Sequence, residues 1–120
     1  MKDIPLGTSL RKSVLTTPDM GTGHTGTAVL STPAMIGQME VVSLEAVKPF
    51  LDDGEQTVGT MVHVWHRAAS TIGETVDVEA KLIERDRRKL LFEVKVSLNG
   101  KLLGEGTHER FVIDTRKFAK

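Results

Sequence analysis

The spacing of hydrophobic residues changes once along the chain, from a helical period to a period of two. Over residues 29–47, apolar side chains occupy most of the circumference of a helix. Thr32 followed by Pro33 is typical of an N-cap and a first-turn proline, while Pro49 and Gly54 are typical of a helix end. We therefore predict one helix of about four to five turns, with Thr32 as its N-cap.

After the helix, apolar and polar residues alternate, which predicts strands with one buried face each. On the first of these strands, one face is predicted to carry Val58, Thr60, Val62, Val64 and His66. The alternation continues over residues 76–82 and 90–98, and residues 102–113 form a last long strand. Asn99-Gly100 joins the last two strands and is the strongest short hairpin signal in the chain. A short strand over residues 10–16 and a loop over residues 17–27 precede the helix.

This order of elements favours an α+β architecture formed by a single domain over residues 1–120. The predicted strands run roughly 10 to 13 residues, longer than the usual five or six, and their apolar faces must cover something. Only one helix is available to them. We therefore predict a hotdog fold, in which a long antiparallel sheet wraps around one central helix. The alternative is a flat sheet with the helix lying across it.

Composition excludes several kinds of chemistry. The chain has 120 residues, 16 basic and 16 acidic residues, no cysteine and four histidines without a metal-binding spacing. Disulfides, thiolate nucleophiles and cysteine-based zinc sites are therefore excluded, and no metal site is expected. Few aromatic residues and no net charge argue against nucleic-acid binding. No segment is long and apolar enough to span a membrane or to act as a signal peptide, so a cytoplasmic protein is expected.

Glu40 is the unusual position on the predicted helix. At 100° per residue, it lies about 120° from the middle of the polar face formed by Gln38, Glu45 and Lys48. It therefore leans toward the buried side, where an ionised carboxylate is costly unless it finds donors or becomes protonated. Either Glu40 reaches water or an arginine at the edge of the core, or it is a catalytic carboxylate.

The residues that could share a site with Glu40 suit acyl transfer. His66 follows apolar residues along its strand face, and Arg110 shares a face with His108 on the last strand. Thr32 lies at the start of the helix, where backbone amides favour anions. A carboxylate, an imidazole, a hydroxyl and a positive helix end together favour chemistry on an acyl group. A histidine that only satisfies the core is the simpler reading of His66.

Three segments, "VLSTPAMIGQME", "TVGTMVHVWHRAASTIGETVDVEAKL" and "GEGTHERFVI", resemble the fluoroacetyl-CoA thioesterase family of hotdog enzymes. They occur in family order over residues 29–118. The resemblance implies that Thr32, Glu40 and His66 are catalytic and that Gly59 and Arg110 bind substrate. It also implies a homodimer with each active site at the subunit interface; whether dimers pair into tetramers stays open.

The sequence therefore leads to an acyl-CoA thioesterase that hydrolyses a short or medium acyl thioester, with no cofactor beyond the CoA of its substrate. His66 would act as general base or acid, and Glu40 would either attack the thioester or activate water. The family gates its pocket with a phenylalanine before the helix, whereas "GTGHTGTAV" contains no aromatic residue. Strict fluoroacetyl specificity is therefore not expected.

Two other functions compete with this one. Asp19 and His24 have the spacing found in hotdog hydratases and dehydratases, although they lie in a Gly/Thr-rich loop rather than before a helix. A non-catalytic acyl-CoA-binding domain is the other alternative, since a fold does not establish an activity. A chance match explains the Asp19/His24 spacing more simply, and a pure binder has no evident need for Thr32, Glu40 and His66 together.

Overall fold

The order of elements agrees with the order that the sequence predicts. The computed structural model describes residues 1–23 and 27–117. Its elements are β1 (Ser9–Leu15), α1 (Thr32–Val47), β2 (Glu55–His66), β3 (Thr75–Asp86), β4 (Lys89–Leu98) and β5 (Lys101–Asp114). In the part of the chain that the structure describes, no helix has the length and apolar character needed to cross a membrane.

The five strands form one antiparallel sheet in the order β1-β3-β4-β5-β2. Consecutive strands β3, β4 and β5 are joined by tight hairpins. Asn99 and Gly100 both have positive φ between the paired residues Leu98 and Lys101, which confirms the predicted Asn-Gly turn. Strands β1 and β2, which precede and follow α1 in the sequence, form the two edges of the sheet.

The helix packs on one face of this sheet and contacts every strand. Its buried side carries Met35, Met39, Val42 and Val47. The facing core positions on the strands include Val76, Val78, Ala80, Leu82, Leu90, Phe92, Val94, Val96 and Val112. Gly104 on β5 allows a close approach, because a Cβ at that position would lie only 2.4 Å from Met35 Sδ. The one helix therefore supplies the apolar partner that the long strands require.

Strand β2 departs from the predicted alternation at a β-bulge. Gly59 pairs with Arg110 and Met61 pairs with Glu109, so Thr60 is an additional residue. Because of this residue, the predicted common face of Val58 and Val62 is wrong. Val58 pairs with exposed Phe111 on the outer face, whereas Val62 pairs with buried His108 on the helix side. The bulge thus turns the second half of β2 so that His66 faces the helix.

Candidate active site

The start of α1 meets the end of β2 through a hydrogen bond between two predicted site residues. Thr32 is the first residue of α1 and His66 is the last residue of β2. Thr32 Oγ1 and His66 Nδ1 are 2.8 Å apart. The other ring nitrogen, His66 Nε2, is buried and has no hydrogen-bond partner among the described residues. A buried imidazole nitrogen without a partner is costly, and a ligand or water is the usual way to satisfy it.

The helix cap leaves the Thr32 hydroxyl free for this hydrogen bond. The predicted N-cap, Thr32, is wrong: Ser31 is the N-cap, with an extended backbone and a side-chain oxygen that accepts from the Ala34 amide at 3.2 Å. The Met35 amide donates to the Ser31 carbonyl, and Pro33 has no amide proton. Within the described residues, Thr32 therefore offers the one first-turn amide still available to an anion.

An open pocket of about 340 Å³ lies beside the Thr32–His66 pair. Its walls come from the segment before α1 and from the chain that follows β2: Thr22, Val29, Leu30, Ser31, Arg67, Ala68 and Ala69. Small and apolar side chains form most of this wall. The pocket therefore brings an apolar surface, a hydroxyl, an imidazole and a helix N-terminus together, which suits a group that is partly apolar and carries an oxygen.

Glu40 lies two turns further along α1 and is half-buried, as the helical pattern predicts. Its Oε2 atom lies 3.7 Å from where a Cβ on Gly59 would be. Within the described residues, Glu40 has no hydrogen bond, and no cation lies within 4 Å of its carboxylate. Glu40 therefore forms no direct ion pair within the described residues, and its half-buried position agrees with a carboxylate that reaches water at the edge of the core.

The Arg110 guanidinium is buried beside Glu40. Its Nε donates to Thr57 Oγ1 at 2.7 Å, its Nη2 donates to the Thr57 carbonyl at 2.9 Å, and its Nη1 lies 3.2 Å from His108 Nε2. Burial lowers the pKa of Arg110, and the nearby negative charge of Glu40 offsets only part of this lowering. Thr57 therefore fixes the guanidinium on one side and His108 on another.

Gly59 provides the space in which these groups meet. A Cβ at that position would lie 3.2 Å from His108 Cε1 and 3.4 Å from Arg110 Nη1. The bulge at Thr60 is held from the outer face as well, since the Thr60 hydroxyl donates to Glu109 Oε2 at 2.6 Å. The absence of a side chain at Gly59 leaves room for a ligand atom against the β2 backbone.

Within one chain, the predicted site residues therefore form two separate clusters. The first consists of Thr32 and His66, and the second of Glu40, Gly59 and Arg110. Thr32 and Glu40 are about 12 Å apart along the helix axis, and Gly59 and His66 are roughly 20 Å apart along β2. The Glu40 carboxylate consequently does not reach His66 of its own chain.

Sequence reasoning missed the residues that support the second cluster. It placed His108 on the same face as Arg110 but gave it no role, and it did not single out Thr57. The sequence does carry a signal for these residues. His108 and Arg110 are two residues apart on an otherwise apolar strand face, and polar side chains at such positions require partners in the core. Thr57, which pairs with Val112 on the neighbouring strand, is such a partner for Arg110.

Only one of the two residues of the hydratase alternative lies in the described part of the chain. Asp19 lies in a short helical turn and accepts a hydrogen bond from the Thr17 hydroxyl. His24, its predicted partner, lies outside the described residues, as does part of the loop over residues 17–27. Over residues 1–23 and 27–117, no group of three or more His, Asp or Glu side chains could hold a metal ion.

Comparison with known proteins identifies first the fold and then the family. A solved fluoroacetyl-CoA thioesterase superposes with a TM-score of 0.90 at 31% identity, covering 98% of this chain and 93% of the other. A hot-dog-like protein from Thermanaerovibrio acidaminovorans superposes with a TM-score of 0.88 at 19% identity, covering 95% and 87% of the two chains. The fold is therefore the predicted hotdog, not a flat sheet with a helix across it.

The family follows from the sequence matches. A fluoroacetyl-CoA thioesterase from Streptantibioticus cattleyicolor is 40% identical over 90 residues, which are 75% of this chain and 65% of that protein. The family model described as "Fluoroacetyl-CoA-specific thioesterase" matches residues 12–116. The chain belongs to this family of hotdog-fold thioesterases, as its motifs predict.

Proposed function

We propose that this protein is an acyl-CoA thioesterase that hydrolyses a short or medium acyl thioester to the free acid and CoA. The observation that carries the proposal is the Thr32–His66 hydrogen bond at the mouth of an apolar pocket, with His66 Nε2 left without a partner. Family membership supports the same reaction. The chemistry needs a carboxylate, an imidazole and water, so we propose no metal or redox cofactor.

Each site residue receives a role that its position supports. His66 transfers the proton, with Thr32 orienting its ring through Nδ1. In one route Glu40 attacks the thioester carbonyl and the C–S bond breaks; CoA leaves as a thiolate that takes a proton from His66, and water then opens the resulting anhydride. In the other route Glu40 takes a proton from the water that attacks the thioester directly. The Thr32 amide stabilises the carbonyl oxygen as negative charge develops on it. Arg110 and Gly59 hold the acyl group beside Glu40.

The two clusters support a homodimer whose active sites are shared between chains. Strand β2 is an edge strand, and its exposed hydrophobic residues include Val58, Met61, Val62 and Trp65. An antiparallel pairing of two β2 edges that places Gly59 beside His66 of the second chain also places Thr57 beside its Ala68. Glu40 of one chain would then face the Thr32–His66 pair of the other.

The same pairing would join two open pockets. Beside Glu40's cluster lies a pocket of about 290 Å³, lined by Leu44, Lys48, Leu51, Glu55, Gln56 and Thr57. Thr57 borders this pocket, and Ala68 borders the pocket beside His66. Pairing Thr57 with Ala68 of the second chain therefore gives one larger cavity at the interface. Its size suits an acyl group longer than acetyl.

The outer face of β2 lies away from both clusters. His63 and Trp65 have ring centroids 4.8 Å apart, and the Arg67 guanidinium lies 5.2 Å from the Trp65 ring centroid. We propose a packing or interface role for this group rather than a catalytic one. A tetramer that uses this face is a second possible assembly, which light scattering distinguishes from a dimer.

The first test is release of free CoA from a panel of acyl-CoAs, from acetyl and fluoroacetyl to long-chain and aromatic, with His66→Ala run alongside. We expect release that depends on acyl length, extends beyond fluoroacetyl, and is lost in the variant. Hydration of an enoyl-CoA without CoA release would instead establish the hydratase. Tight acyl-CoA binding without turnover would establish a binding domain.

The second test asks whether the active sites are shared. Glu40→Gln and His66→Ala chains are mixed under conditions that exchange subunits. In a mixed dimer with shared sites, one site combines the intact halves of both chains. Random exchange should then restore about a quarter of wild-type activity, because half of the dimers are mixed and each has one intact site. No recovery would show that each chain carries its own complete site.

Thr32→Ala mixed with His66→Ala provides the matched control. Both residues belong to the same cluster, so every site in the mixed dimer keeps one defect and no activity should return. Recovery in this control as well would indicate that mixing itself, rather than the sharing of sites, restores activity. A single turnover in ¹⁸O-labelled water then tests the covalent role of Glu40, since ¹⁸O in its carboxylate would require an anhydride that water opens at the glutamyl carbonyl.

A further inference from the structure

His108 uses both ring nitrogens in a setting closed to solvent. It is 1% exposed and lies on β5 opposite Val62. Its Nδ1 lies 2.8 Å from the Met61 carbonyl oxygen, and its Nε2 lies 3.2 Å from Arg110 Nη1. The ring therefore joins two features of the Glu40 cluster: the bulged backbone of β2 and the buried guanidinium.

These partners determine where the imidazole proton lies. A guanidinium only donates hydrogen bonds, so His108 Nε2 must accept from Arg110 and carries no proton. A carbonyl oxygen only accepts, so Nδ1 must donate to Met61. The ring is therefore neutral, with its proton on Nδ1. Burial and the Arg110 charge lower the pKa of His108, and these effects outweigh the opposing influence of the Met61 carbonyl, Glu40 and Glu109.

The bond to His108 also determines which Arg110 protons remain free. Thr57 accepts from Nε and Nη2, and His108 accepts one of the two Nη1 protons. One proton on Nη1 and one on Nη2 therefore remain. Nη1 lies beside the open space at Gly59, where Glu40 also points. If His108 did not accept, both Nη1 protons would compete for Glu40 and for any bound acyl oxygen.

We propose that His108 is a positioning residue for the thioester site: its unprotonated Nε2 holds Arg110 Nη1 so that one N–H points at the acyl group beside Gly59 and Glu40. This inference rests on the proposed thioesterase function. His108 does not touch the substrate and acts through Arg110. Its bond to Met61 anchors the ring on the β2 backbone.

Two substitutions separate the two bonds of His108. In His108→Gln, the side-chain oxygen can replace Nε2 as the acceptor for Arg110, whereas the bond to Met61 is lost. In His108→Asn, the side-chain nitrogen can replace Nδ1 as the donor to Met61, whereas the acceptor for Arg110 is lost. Each variant keeps one hydrogen bond and loses one, so each is the structural control for the other.

We expect the Asn variant to lose about tenfold or more in kcat with KM nearly unchanged, because Arg110 is no longer held at a fixed angle. The Gln variant should keep kcat within about threefold of wild type, at a melting temperature similar to that of the Asn variant. Wild-type kcat in the Asn variant would overturn the proposal. An equal loss of kcat in both variants that follows their melting temperatures would also overturn it.

A measurement that needs no activity tests the arrangement itself. Long-range ¹H–¹⁵N NMR spectra should show His108 with a protonated Nδ1 and an unprotonated Nε2 at pH 7, and Arg110→Met should shift the Nε2 resonance. A protonated Nε2, or no effect of Arg110→Met, would overturn the proposed contact. A wild-type protein that releases no CoA would refute the thioesterase instead, and the NMR result would still decide how His108 is held.

Discussion

The space at Gly59 gives the sharpest prediction about the site. In Gly59→Ala, the new methyl group would lie 3.2 Å from His108 Cε1, 3.4 Å from Arg110 Nη1 and 3.7 Å from Glu40 Oε2. Carbon atoms prefer about 3.5–4.0 Å, so the His108 ring must move by about 0.3–0.8 Å. Arg110 must move with it, because the two side chains are hydrogen-bonded.

The effect on stability should be small and the effect on turnover large. Overpacking costs about 1–3 kcal/mol, and replacing glycine by alanine returns about 0.5–1 kcal/mol of unfolded-state entropy. We therefore expect a net destabilisation of about 1 kcal/mol. A displacement of 1 Å at a reacting group can cost about a hundredfold in rate, so a shift of roughly half that distance should lower kcat about tenfold.

The assay is steady-state CoA release together with thermal unfolding followed by circular dichroism. Gly37→Ala is the matched control, since Gly37 lies on the same helix as Glu40 and has open space around its Cβ position. It should stabilise the protein by about 0.5–1 kcal/mol and leave kcat unchanged. If Gly59→Ala retained kcat and KM within about twofold, the Gly59 space would not belong to the site.

Three further predictions follow from the same geometry. Glu40→Gln should leave the melting temperature unchanged and lower kcat about a hundredfold or more, and an unchanged rate in the CoA assay would remove Glu40 from the mechanism. Ser31→Ala removes the helix cap and should cost about 1 kcal/mol in urea unfolding, whereas no loss would contradict the observed cap. Hydrogen bonds from the Asp52 amide, the terminal amine and Arg88 lower the pKa of Glu55 from 4.5 to about 2. Its ionised form therefore stabilises the fold above about pH 4.5, and this stabilisation is lost as the pH falls toward 2. Glu55→Gln should be less stable than wild type at pH 7 and equally stable near pH 2, and a constant difference would contradict this pKa.

The elements of the fold were predictable because each depends on a local pattern. Alternating apolar residues set the strands β3 and β4, where every second residue is buried over residues 76–82 and 90–96. Asn99-Gly100 set the last hairpin, since both residues adopt positive φ easily. A single amphipathic segment supplied the helix. The arrangement of these elements then followed from the need to cover one long apolar face with one helix.

The bulge and the helix cap were not predictable in the same way. Thr60 is a favourable strand residue, and nothing in its neighbours indicates that it is unpaired. The bulge exists because His108 and Glu109 on the adjacent strand hold its two sides, which is a tertiary interaction. Ser31 and Thr32 are both good N-caps, and the choice between them follows from the bond that Thr32 makes with His66.

The position of the predicted site residues near a sheet edge explains why an arrangement shared between chains came only from the family resemblance and not from local patterns. Sequence reasoning placed Glu40, His66 and Thr32 in one site, yet the chain holds Glu40 about 12 Å along the helix from Thr32. A half-buried carboxylate without a direct ion pair and a buried imidazole nitrogen without a partner among the described residues are each costly alone. An interface that pairs one with the other would remove both costs at once. The Glu40 carboxylate and the His66 imidazole, which lack partners in the single chain, would then face a polar, partly charged transition state in the assembled site.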